Sequence, residues 1–94
     1  MAKRPLAAIQ QAESEFFDKV WYDRHQLLRQ ADRVNGKPVD AKILKQAIRA
    51  ATEIEKRHGL ENLGPYSDFD WGMINGKLSA LRWVLGEDWD VLDT

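Results

Sequence analysis

The chain has 94 residues, no cysteine, 14 Lys and Arg against 15 Asp and Glu, and a formal net charge of −1 at pH 7. That length suits one domain with a real core, and the missing cysteine excludes disulfides, thiolate metal sites and cysteine nucleophiles. No apolar run approaches the ~20 residues that cross a bilayer, and the basic start Met1-Ala2-Lys3-Arg4-Pro5 meets Glu13 and Glu15 too soon for a signal peptide, so a cytoplasmic location is expected.

The first predicted helix runs from about Pro5, which suits a first helical turn, to Val34, before the turn pair Asn35-Gly36 and then Lys37-Pro38. Ile9, Ala12, Phe16, Val20, Leu27, Ala31 and Val34 recur at three-, four- and seven-residue steps, which marks one helix face. A second row, Phe17, Trp21 and Leu28, lies beside it, with Arg24 between Trp21 and Leu28 and Glu13 among Phe16 and Phe17. Arg24 either extends to water along its apolar stem or pairs with an acid of the C-terminal part, Asp88 or Asp90. His25 falls opposite the apolar stripe.

Asp40 is a natural N-cap for the second helix, whose narrow apolar face reads Leu44, Ala47, Ile48, Ala51 and Ile54. Lys56, Arg57 and His58 suit the negative end of the helix dipole, and Gly59 ends the helix. Lys42, Lys45, Arg49 and Lys56 form a basic ridge on its solvent side, interrupted by Glu53 and without interleaved aromatics. After the loop from Leu60 to Tyr66, Ser67-Asp68-Phe69-Asp70 reads as a capping box. The third helix then spans about 68 to 85 and stops at Gly86. It is apolar on two sides: Trp71, Ile74, Leu78, Leu81 and Leu85 on one, Phe69, Met73, Ala80 and Val84 on the other. Gly72, Gly76 and Ala80 make a small-residue row for close approach of the second helix. In the tail, Trp89 and Leu92 fit a single docked turn. The expected fold is all-α, a compact single three-helix domain with helix 3 central and a short C-terminal turn folded back.

Charge is uneven. Through Gly59 there are twelve Lys and Arg against eight Asp and Glu, whereas from Leu60 onward there are two against seven; within one fold the halves attract each other. The acids at 68, 70, 87, 88, 90 and 93 lack the order of a calcium loop, and the two at the helix start are explained by capping and the dipole. The two histidines form no catalytic set, Ser67 is a cap, and no glycine-rich phosphate loop is present, so neither an enzyme, a cofactor nor a metal is expected.

The segment from Asn62 to Thr94, with Asn62-Leu63-Gly64-Pro65-Tyr66-Ser67-Asp68-Phe69-Asp70-Trp71-Gly72 at its start and Trp89-Asp90 near its end, resembles the C-terminus of small bacterial proteins of unassigned function. The resemblance implies a bacterial source and no site.

Four Trp and three Phe are many for a chain of this size, and three helices leave the second row of the first helix uncovered. Exposed aromatic rows mark partner surfaces. The expected function is a non-catalytic interaction or accessory module, homo-oligomeric or bound to another protein, through Phe17, Trp21, Arg24 and Leu28. The alternative is a small nucleic-acid-associated regulator using Lys42, Lys45, Arg49 and Lys56.

Overall fold

The computed structural model describes residues 2–35 and 40–89, the side chains of 31–35 excepted. The chain is all-α, with α1 at Leu6–Asn35, α2 at Ala41–His58 and α3 at Asp68–Val84, and a 3₁₀ turn at Leu60–Asn62. No strand occurs among the described residues.

Local chemistry sets the helix ends where the sequence predicts them. The Pro5 carbonyl accepts from the Ala8 and Ile9 amides at 3.0 and 3.2 Å. Asp40 caps α2 by accepting from the Lys42 and Ile43 amides at 2.8 and 3.2 Å, which satisfies two of the donors a helix start leaves unpaired. Gly59 closes α2 at φ +82°, a conformation that favours glycine. The Asn62 side chain donates to the His58 carbonyl at 2.7 Å, occupying an acceptor at the helix end. Ser67 Oγ accepts from the Asp70 amide at 3.1 Å. Beyond α3 the chain turns at Gly86, φ +107°, and Trp89 stacks on Trp83 with ring centroids 5.0 Å apart.

Two units share the long α1. One contains the chain through Val20 together with Tyr66 onward. Its centre is Val20 and Leu78, both fully buried, and Trp71, Ile74, Leu81 and Leu85 are half-buried on the same side of α3 as Leu78. Glu13, charged in an apolar neighbourhood, finds its partner here: Arg82 Nε lies 3.3 Å from Glu13 Oε1, with side chains only 14% and 24% exposed for the arginine and the acid. The Arg82 guanidinium also lies over the Phe17 ring at 5.5 Å, and Lys19 and Lys77 approach the Phe16 ring at 5.7 Å.

The other unit runs from Trp21 to Pro65. Tyr22, Ala51, Ile54 and Leu63 form its buried cluster, with Trp21 packed against it. The Tyr22 hydroxyl donates to Glu55 Oε2 at 2.7 Å, so the polar tip of a buried ring is satisfied.

One expectation is corrected. The stripe on the first helix does not continue as one core face: Leu27 is 59% exposed, whereas Tyr22 and His25 are buried. Each unit selects its own positions along the helix, and the set in the second unit does not continue the spacing that ends at Val20. A Cβ built on Gly72 or on Gly76 finds no atom of the described chain within 4 Å.

Candidate functional site

The most unusual surface of the molecule is the side of α3 turned away from Leu78. At 3.6 residues per turn, Phe69, Gly72, Met73, Gly76, Ala80, Trp83 and Val84 fall within a sector of about 120°. Every one of them is exposed. Phe69 is 74% exposed, Val84 55%, Trp83 50% and Met73 45%. No Asp, Glu, Lys or Arg of α3 falls in this sector. Asp70 and Lys77 lie along one edge of it, and Asp68 beyond the other. The centre is a groove, because Gly72 and Gly76 have no side chain and open space lies above both.

Such a strip has two local costs. Large apolar side chains stay in water, each forgoing roughly 1 kcal/mol or more of burial, and two glycines inside a helix cost about 1 kcal/mol each relative to alanine. Among the described residues the Trp89 ring stacked on Trp83 recovers part of the first cost, and no atom lies within 4 Å of a Cβ at either glycine to recover the second. A local rule broken without a gain inside the fold is the pattern of a functional surface. The sequence displayed both faces of this helix, but composition could not say which one the chain would leave open.

The residues expected to form a partner surface on α1 share one side of that helix and differ in exposure. Phe17 is just exposed, at 37%, and lies beneath the Arg82 guanidinium. Trp21 is half-buried, packs against its own unit's core and stacks on His25 at 5.0 Å and 7°. It therefore contributes to the packing of its own unit. Arg24 is exposed, and Leu28 is 65% exposed. Of the tail acids expected to pair with Arg24, Asp88 is exposed and Asp90 lies outside the described residues, as does Leu92.

No known protein family, curated protein or solved structure matches this chain.

The basic ridge is present as a solvent face: Lys42, Lys45, Arg49 and Lys56 are all exposed, and Glu53 sits among them with Oε1 3.8 Å from Lys56 Nζ. A hollow of about 390 Å³ between α1 and the loop after α2 is floored by Tyr22 and Leu63 and walled by Leu27, Leu60 and Pro65. No group of three or more potential metal ligands occurs among the described residues, and no described helix is long and apolar enough to cross a membrane.

His25 was missed as a core residue. It is 8% exposed, and its Nε2 has no hydrogen-bond partner among the described residues. Burial holds its pKa below the usual 6.5, and the nearby positive Arg29 acts in the same direction. Burial and the Glu55 carboxylate raise the Tyr22 phenol above 10.0. Neither shift belongs to a set of mutually oriented reactive groups. His25 is a neutral ring stacked in a core.

Proposed function

We propose that the protein is a non-catalytic protein–protein interaction module whose docking surface is the open face of α3. The single observation that carries this is the uncharged strip from Phe69 to Val84 with free space above Gly72 and Gly76. A groove of this kind accepts another helix at close range, since two backbones approach most nearly where Cβ atoms are absent. The aromatic and aliphatic side chains at its two ends supply the large buried contacts on which interface energy concentrates. A cytoplasmic setting and a bacterial source accompany this proposal.

The test is a photoreactive phenylalanine analogue placed at position 76 and, in a separate chain, at Arg49, followed by irradiation in the native cells. Protein adducts from position 76, absent from position 49, are the expected result. No protein adduct from position 76 overturns the module. The runner-up, a nucleic-acid-associated regulator, draws on the exposed Lys42, Lys45, Arg49 and Lys56, which Glu53 interrupts; nucleic acid joined to position 49 would replace the first proposal by the second.

A further inference from the structure

We infer that the hollow between α1 and the loop after α2 is a binding site for a small organic cation, an ammonium group on an apolar body, held by the Asp23 carboxylate. This goes beyond the α3 docking face and does not depend on it. Every residue that lines the hollow lies between Trp21 and Pro65, within one of the two units. Asp23, Gln26, Leu27 and Gln30 fall within a sector of about 100° of α1 at 3.6 residues per turn, and the loop from Leu60 to Pro65 closes the other side. Tyr22 and Leu63 are buried, so the floor is recessed and mainly apolar. The volume of about 390 Å³ suits a small molecule, whose sites run from roughly 300 to 1,000 Å³.

Asp23 selects the ligand. It is the only charged residue in the lining, it is half-buried, and it makes no hydrogen bond or ion pair with any described residue. Helix formation does not account for it, because position 23 lies well inside α1 at Leu6–Asn35, far from the first turn where aspartate is favoured. Lys19, one helical turn away, lies over the Phe16 ring. Arg29, whose charge acts on Tyr22, falls outside the sector. The Glu55 carboxylate, which accepts from the Tyr22 hydroxyl, adds negative charge beside the floor.

Chemistry narrows the class further. Calcium and magnesium take about six or more oxygen ligands, and no group of three or more potential metal ligands occurs among the described residues. An anion meets Asp23 as a like charge, and a neutral molecule covers that carboxylate without pairing it, which costs free energy. An ammonium group carries three donors. Asp23 and the side-chain carbonyls of Gln26 and Gln30 supply acceptors along one side of the hollow, while the apolar body lies on Tyr22, Leu63 and Pro65. One charged contact and one apolar floor hold a molecule of about a dozen heavy atoms weakly, with a dissociation constant of roughly 0.1 to 1 mM.

The probe is phenylbutylamine, with phenylbutanol as its neutral counterpart, titrated into the isotope-labelled full chain and followed by nuclear magnetic resonance. The amine is expected to shift the backbone amide resonances of Gln26, Leu60, Leu63 and Gly64 with a dissociation constant below about 1 mM, and the alcohol to bind at least about tenfold more weakly. Asp23→Asn, at a position with no partner in the fold, is expected to keep the helical circular-dichroism signal and to lose a similar factor in affinity for the amine. Leu27→Lys sets a cation one helical turn from Asp23 and is expected to keep the fold and exclude the probe. Absence of shifts at about 10 mM amine, some tenfold above the expected constant, overturns the site. Equal affinity for amine and alcohol, or equal affinity of wild type and Asp23→Asn for the amine, overturns the cationic class. A blocked lysine amide that binds as tightly as phenylbutylamine assigns the hollow to a lysine side chain of a protein and overturns the small ligand.

Discussion

His25 shows how a single residue links burial to solution behaviour. Its folded-state pKa is depressed, chiefly by burial and further by Arg29. The unfolded chain, with an ordinary histidine pKa near 6.5, therefore binds the proton more readily than the folded chain does. Stability is fully present above about pH 6.5 and is lost as pH falls below it toward the folded pKa. Thermal melts between pH 8 and pH 5 should show the midpoint falling on the acid side. His25→Phe, which keeps a ring against Trp21 and removes the titration, should flatten the part of that slope due to His25; an unaltered slope would place the acid sensitivity elsewhere. Glu13 and Arg82 supply a second case. The pair is largely covered, so removing one partner leaves the other charge poorly solvated. Glu13→Gln or Arg82→Met should each destabilise by about 1–3 kcal/mol. The double mutant should cost clearly less than their sum in denaturant titrations.

At the scale of the element, α3 is the helix in which local preference and surroundings disagree. Gly72 and Gly76 are exposed and touch nothing in the described chain, so alanine at either position meets no atom and improves helix propensity. Gly72→Ala and Gly76→Ala should each raise the stability of the monomer by about 0.5–1 kcal/mol, measured by chemical unfolding at low concentration. Destabilisation would mean that the glycines serve the fold after all. The long α1 makes a complementary point: 30 residues of helix serve two units, so the helical period is obeyed within each stretch and not across the whole element.

For the whole molecule, association and folding are linked. A partner that binds the folded chain through the α3 face, and not the unfolded chain, raises its stability. The wild-type melting temperature should be higher in a lysate of the native cells than in purified form, whereas that of Ala80→Glu should be the same in both. An equal wild-type melting temperature in both would remove the α3 docking face.

Sequence alone determined the all-α class, the three helices and their ends. Those features depend on near neighbours: Asp40 and Ser67 reach amides two or three residues on, Gly59 supplies a positive φ, and the 3.6-residue period reports which side chains share a face. Sequence also displayed both apolar faces of α3 and the small-residue row between Phe69 and Trp83. Tertiary structure alone decided which face is used. Leu78 is buried and Phe69 is open, although both sit in apolar rows of one helix. It likewise paired Glu13 with Arg82, and it turned His25 and Trp21 into a stacked pair against the core. Periodicity ranks the residues of one helix against each other. Which side another element covers depends on contacts between residues far apart in the chain, such as Tyr22 with Glu55, and no local pattern encodes those.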